Sequence, residues 1–209
     1  MNALSLLSPS LKDRLSQTLN VSHLFPVQSA VLPLLLATRH SSARSSPGDV
    51  CVSAPTGSGK TLAYALPIVA SLTDRVVPRT RALIVLPTRD LATQVRSTFE
   101  ALCKGGSSGL KVVLLTGQSG SMASERRALF SDSQGRKSQY EGEALADIVI
   151  ATPGRLLDHL NNSNPKFTLS HLRFLVIDEA DRLLSQSFQD WLPKVLESAQ
   201  GPAETGSTK

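Results

Sequence analysis

Aromatic side chains are scarce: six Phe, two Tyr and one Trp make up 4% of the 209 residues. A core built from this chain is therefore aliphatic, the mixture of Leu, Val, Ile and Ala that buried parallel strands and their covering helices favour. Cysteine is scarcer still. Cys51 and Cys103 are too few for a disulfide framework or a zinc site and read as small buried thiols in a reducing compartment. No apolar run reaches the ~20 residues of a membrane span. Met1–Leu7 is too short for the apolar region of a signal peptide, and Lys12 and Asp13 stand close behind it. Without a secretory signal, Asn20-Val21-Ser22 and Asn161-Asn162-Ser163 read as surface polar residues rather than glycosylation acceptors. No internal repeat is visible. The charge excess, +5 from 22 basic and 17 acidic residues, permits a nucleic-acid partner without demanding one.

What is present is order at short range. Hydrophobic residues reach 41% and charged residues 19%, enough for a packed core. Val50–Ala54, Ala82–Leu86, Val112–Thr116, Ile148–Ala151 and Phe174–Ile177 are short, β-branched and apolar on both faces, and are expected to be strands. Lys60–Leu72, Leu91–Leu102, Ser121–Phe130 and Arg155–Leu160 carry apolar residues at three-to-four spacing and are expected to be helices. Leu91, Val95, Phe99 and Leu102 form one such stripe. The alternation predicts an α/β fold, a parallel sheet with helices on both faces and ligands at the carboxyl ends of its strands. Thr38–Asp49, Ser131–Glu143 and Gly201–Lys209 read as two loop insertions and a tail.

Ala54–Thr61 reads APTGSGKT, after a predicted strand and at the start of a helix. Gly57 and Gly59 let the backbone curl so that successive N–H groups converge on an anion, and the helix N-terminus adds its partial charge. In that frame Ala54, Pro55, Thr56, Gly57, Ser58, Gly59, Lys60 and Thr61 cradle a nucleotide's phosphates. Lys60 places a point charge on the β- and γ-phosphates, and Thr61 offers a hydroxyl to Mg²⁺. The generic phosphate-loop pattern has Gly where Ala54 stands and is matched from its second position onward. Leu175–Asp181 reads LVIDEAD, an aliphatic strand that delivers Asp178 and Glu179 to its carboxyl end. Asp178 can hold the Mg²⁺, and Glu179 can orient or deprotonate the water that attacks the γ-phosphate.

APTGSGKT, PTRDL (Pro87–Leu91), TPGR (Thr152–Arg155) and DEAD (Asp178–Asp181) follow one another in that order. Together they resemble the first RecA-like domain of the DEAD-box ATP-dependent RNA helicases, over roughly Ser22 to Leu196. The resemblance implies a P-loop RecA-like domain over 22–200, a flanking segment over 1–21 and a flexible tail over 201–209. It implies ATP and Mg²⁺ as cofactors, with Lys60, Asp178 and Glu179 catalytic and Thr61 and Asp178 on the metal. Gln28, in FPVQ (Phe25–Gln28), becomes the reader of the adenine edge, a task that suits a carboxamide's paired donor and acceptor. Pro87, Thr88, Arg89, Thr116, Gly117, Thr152, Pro153, Gly154 and Arg155 become contacts to the backbone of single-stranded or locally unwound RNA. Such contacts make binding insensitive to sequence and sensitive to salt. Asp181 links the nucleotide to the RNA motifs.

The chain also departs from the family pattern. Asp90 stands for the usual Glu, Gln118 for a second glycine after Gly117, and Asn20 for a glycine ahead of the adenine-reading motif. No upstream aromatic is evident to stack on the base. FPVQ, PTRDL, Gly117-Gln118 and the 131–143 loop are most similar to a nucleolar branch of the family that acts on pre-ribosomal RNA in large-subunit assembly, which implies a nuclear, nucleolar location. The family's Ser-Ala-Thr motif and second RecA-like domain, with its arginine finger, do not occur within these 209 residues. The chain is thus expected to be a monomer that needs a second RecA-like domain as partner and is slow or inactive alone. The alternatives are a non-catalytic module that binds RNA or a helicase, and a different RecA-like ATPase.

Overall fold

Short aliphatic segments form the sheet: Ala82–Val85 and Ile148–Ala151 are buried throughout, Val112–Leu115 at all but its first residue, and Phe174–Ile177 is half-buried along its length. The computed structural model describes residues 3–37, 48–104, 109–118, 120–132, 143–161, 167–185 and 190–200. Residues 38–47 and 133–142 of the two expected insertions, Asn162-Ser163 and the expected tail 201–209 lie outside them. Among the described residues there are four strands: β1 (Ala82–Val85), β2 (Val112–Leu115), β3 (Ile148–Ala151) and β4 (Phe174–Ile177). They form one parallel sheet in the order β2-β3-β1-β4, the arrangement that crossover helices impose. Val85 is in register with Ala151 and with Ile177, and Ala151 with Leu115, so all four strands end in one row.

The α-helices are α1 (Pro9–Thr18), α2 (Pro26–Ala37), α3 (Lys60–Leu72), α4 (Arg89–Cys103), α5 (Met122–Phe130), α6 (Pro153–Asn161), α7 (Ala180–Ser185) and α8 (Trp191–Gln200), after a 3₁₀ turn at Ala3–Leu6. The chain divides into two compact units. One comprises Met1–Val76 and Gln94–Leu110, the other Val77–Thr93 and Lys111–Lys209.

In the first unit α2 packs on α3 and on the 3₁₀ turn. α3 is buried at Ala63, at every position from Ala65 to Ala70 and at Leu72. α1, within the segment set apart in the sequence as a flank, buries Leu11 and Leu15, and its Arg14 guanidinium donates to Leu102 O of α4. The α4 stripe faces inward at Val95, Phe99 and Leu102, and the Phe99 ring lies 6.3 Å from that of Tyr64. Asn20 has φ 53, a left-handed backbone in which Asn is the common substitute for glycine; this accounts for one departure from the family pattern.

In the second unit, Leu83, Val85, Val113, Leu115, Val149 and Ala151 of the sheet cluster with Leu129, Leu156, Phe167, Leu183, Trp191 and Val195. The alternate positions Ala82, Ile84, Ile148 and Ile150 are also buried, as a parallel sheet covered on both faces requires.

One expected element does not form. Among the described residues Val50–Ala54 pairs with no strand; Val50 and Val52 are 40% and 37% exposed, and Cys51 between them, expected to be buried, is exposed too. β-propensity is realised only where a neighbouring strand supplies a ladder and a surface to pack on, and this segment has neither.

Candidate functional site

In the first unit the phosphate loop leads straight into α3, whose first residue is Lys60. Ser58 N donates to Pro55 O (3.3 Å), closing the turn. Gly57 and Gly59 have φ 82 and 85, a conformation that glycine adopts without penalty. Gly59 caps α3 without a side-chain hydrogen bond, so the first-turn amides are left to an anion at the positive end of the helix. Ser58 Oγ is buried with no hydrogen-bond partner, the kind of orphan a ligand oxygen satisfies. Lys60 Nζ donates to Ala54 O (2.6 Å) and Pro55 O (3.0 Å), which leaves the third of its N–H donors for a phosphate. Thr61 follows, half-buried.

Gln28, 2% exposed, ties this loop to α2. Its Oε1 accepts from Phe25 N (2.8 Å), the return half of a capping box at the start of the helix, and its Nε2 donates to Gly59 O (3.0 Å). A carboxamide has two donors and two acceptor lone pairs, so one of each remains for a base edge. A Cβ on Gly59 would overlap Gln28 Nε2 and lie 3.0 Å from Phe25 Cδ2. The Phe25 ring is 50% exposed beside them, an aromatic that the sequence reading did not weigh because it is part of the glutamine's own motif.

In the second unit the carboxyl ends of the strands collect the remaining candidates. The ladder runs one residue past each strand: Thr152 N to Leu115 O (3.2 Å), Leu86 N to Ala151 O (3.0 Å) and Asp178 N to Val85 O (3.1 Å). Thr116, Thr152, Leu86 and Asp178 therefore stand side by side, and the row spans roughly 14 Å at ordinary strand spacing. After β1, half-buried Pro87 precedes Thr88, which caps α4: its Oγ1 accepts from Leu91 N (3.4 Å) and its carbonyl from Ala92 N (3.2 Å). Arg89 is exposed in the first turn. After β3, Thr152 O accepts from Leu156 N (3.0 Å), and Pro153, Gly154 and Arg155 form the first turn of α6. After β2, Gly117 takes φ 72. Thr116 is buried, and its hydroxyl accepts from Gln118 N (3.4 Å), so it meets the loop rather than solvent.

Glu125 of α5 holds this edge together, and sequence reasoning missed it. It lies outside every recognisable motif and reads as an ordinary first-turn acid. It is 3% exposed. Its Oε1 accepts from Thr116 N (3.2 Å) and Gly117 N (2.8 Å); its Oε2 accepts from Arg155 Nε (2.6 Å) and meets His159 Nε2 (2.9 Å). Burial pushes the Glu125 carboxyl up, but hydrogen bonds from His159, Arg155 and Gly117 and the Arg155 charge outweigh it and hold the group below its ordinary value. Burial also keeps the His159 pKa below the usual imidazole value, against the pull of Glu125 and with the help of the Arg155 and Arg126 charges. His159 is then neutral, with its proton on Nε2; its buried Nδ1 has no partner.

Beyond β4, Asp178 Oδ1 accepts from Glu179 N (3.0 Å). Glu179 has φ 50, unusual for a side-chain-bearing residue, and such strain is found where a fold must aim a group. Its Oε2 lies 3.0 Å from Arg182 Nη1. Asp181 is exposed in the first turn of α7. Among the described residues, no group of three or more His, Cys, Asp or Glu could hold a metal, and no helix is long and apolar enough to cross a membrane.

The DEAD/DEAH box helicase family model matches residues 25–208. The chain belongs to this family. It is 50% identical over 195 residues to ATP-dependent RNA helicase DDX51 of Danio rerio, covering 90% of this chain and 28% of the relative. It is 49% identical over 197 residues to ATP-dependent RNA helicase dbp6 of Schizosaccharomyces pombe, covering 94% of this chain and 30% of the relative. The chain thus spans under a third of the length of these relatives. Among solved structures, the yeast DEAD-box splicing factor Prp28 superposes with a TM-score of 0.75 at 26% identity, covering 94% of this chain and 41% of that one. A DEAD box protein from Methanococcus jannaschii superposes with a TM-score of 0.71 at 27% identity, covering 92% and 45%. The fold is the RecA-like one of these DEAD-box proteins.

Proposed function

We propose that this chain is the ATP-binding half of an ATP-dependent RNA helicase, coupling nucleotide binding and hydrolysis to a grip on the RNA backbone. The observation that carries the reading is the row at the carboxyl edge of the sheet. There Asp178, the acidic group suited to nucleotide chemistry, shares one sheet edge with Pro87–Arg89, Gly117 and Thr152–Arg155, the groups suited to phosphodiester oxygens. Guanidinium, backbone amides and helix N-termini are phosphate ligands and read no base.

Lys60 and the amides of 55–61 bind the β- and γ-phosphates, and Gln28 carries the state of the base site to the loop through Gly59. Glu179 holds and deprotonates the attacking water, and Asp181 couples the acidic motif to the RNA contacts. Magnesium suits the donor set, since the Thr61 hydroxyl and Asp178 carboxylate are hard oxygen ligands and this ion takes the rest of its shell from phosphate and water. When bound it neutralises charge on the β- and γ-phosphates. The motif combination around FPVQ and Gly117-Gln118 supports pre-ribosomal RNA as substrate and the nucleolus as location, which crosslinking of tagged protein to RNA in cells tests.

The experiment for the activity is ATP hydrolysis by the 209-residue chain, with and without single-stranded RNA, beside Lys60→Ala. We expect nucleotide binding without turnover above the variant, because an arginine finger, worth roughly 10³–10⁵ in rate in related reactions, comes from another domain. RNA-stimulated turnover abolished by Lys60→Ala would show that one domain suffices or that two chains complete each other. RNA binding with no nucleotide binding would favour a non-catalytic module.

A further inference from the structure

We infer that Glu125 is a positioning residue for RNA binding, setting both the Arg155 guanidinium and the Gly117 loop to face one backbone; this rests on the RNA-contact reading above. The two contacts come from different elements, the turn after β2 and the first turn of α6, and a single carboxylate joins them. Its two oxygens divide the work. Oε1 takes the amides of Thr116 and Gly117 and fixes the turn in its left-handed conformation. Oε2 takes Arg155 through Nε alone. Anchoring a guanidinium by Nε turns its outer edge away from the carboxylate, and the Arg155 side chain keeps 20% of its surface exposed. Nη1 lies 3.7 Å from Asp158 Oδ2, a looser contact with a largely exposed acid. His159, one helical turn beyond Arg155, meets the same Oε2 and is itself fully buried.

An exposed arginine loses rotamer entropy each time it grips a phosphate; one held at Nε has lost most of it beforehand. Glutamine at position 125 keeps the shape and one carbonyl acceptor. It turns its amide against either Arg155 Nε–H and His159 or the two backbone amides, donor facing donor. Lysine at position 155 keeps the charge but has no second donor edge, so its ammonium sits on Glu125 rather than facing outward.

The test is binding of a fluorescent single-stranded oligouridylate to the 209-residue chain across salt concentrations. The proteins are wild type, Arg155→Ala, Arg155→Lys, Glu125→Gln and the double variant Glu125→Gln/Arg155→Ala, with ATP-analogue binding as the check on folding. We expect Arg155→Ala to weaken RNA binding about tenfold and to lower the salt slope by about 0.7. Arg155→Lys and Glu125→Gln should lose most of the same affinity with nucleotide binding kept, and the double variant should be little weaker than Arg155→Ala. Full affinity in Glu125→Gln or Arg155→Lys, or losses that simply add in the double variant, would overturn the positioning role while leaving the RNA reading intact. Unchanged binding in Arg155→Ala would overturn the RNA reading and the inference with it. If Glu125→Gln does not fold, Arg155→Lys decides alone, since it leaves the carboxylate in place.

Discussion

Arg155 Nε lies 2.6 Å from Glu125 Oε2, across thirty residues of sequence and between two helices that follow different strands. The carboxylate is buried and has four donors around it, so removing it strands a guanidinium, an imidazole and two amides at once. Glu125→Ala should therefore destabilise the chain by about 3–5 kcal/mol, the cost of breaking a buried pair. Arg155→Ala leaves the carboxylate three donors and should cost less. Thermal unfolding of the two variants beside wild type checks the order; equal losses would mean that the backbone amides contribute nothing.

The same cluster predicts a pH dependence. His159 is held below its usual pKa of 6.5, first by burial and then by Arg155 of α6 and Arg126 of α5, while Glu125 opposes them. Below pH 6.5 the unfolded chain takes up a proton that the native chain refuses. Stability from this group is thus complete above 6.5 and is lost as pH falls toward the folded value. Glu125 is held below its own usual value of 4.5, so its contribution persists through this window and is lost only at lower pH. The melting temperature should fall between pH 7 and pH 5, and His159→Gln, which keeps a donor for Glu125, should flatten that fall. An unchanged slope in the variant would place the titration elsewhere.

Gly59→Ala tests the join between Gln28 and the phosphate loop. The new methyl meets Gln28 Nε2 and Phe25 Cδ2, and the backbone at φ 85 disfavours any side chain. Destabilisation of about 1–2 kcal/mol is expected from the conformation alone. ATP affinity should fall more than tenfold, by titration calorimetry, because the first turn of α3 shifts with the loop. Gln28→Ala should show the smaller loss of a severed link without the clash.

Lys60→Ala separates phosphate binding from base binding. Among the described residues the ammonium donates only to loop carbonyls, so its loss leaves the core untouched. Affinity for ATP should drop at least tenfold while that for adenosine stays level. Equal losses for both would show that the substitution collapsed the loop.

Where the sequence was legible, a local rule matched a local structure. The Lys60–Leu72 helix has the expected bounds, and the four strands of the sheet lie where β-branched runs predicted them, with the motifs at their carboxyl ends. The strand expected at Val50–Ala54 failed because pairing is a property of neighbours, which composition does not record. α1, α2, α7 and α8 went unread, although Ser8 followed by Pro9 is an ordinary helix start.

The chain by itself determined the class of chemistry: glycines where a loop must curl, a lysine after them, and carboxylates after an aliphatic run. Those demands act within a few residues and leave a pattern. Only the tertiary structure decided what joins the parts. Register aligned Thr116, Thr152, Leu86 and Asp178 in one row, burial gave Gln28 its contact with Gly59, and a helix brought Glu125 under Arg155. A buried carboxylate draws its meaning from donors that arrive from elsewhere in the chain, and a one-dimensional pattern does not carry that information.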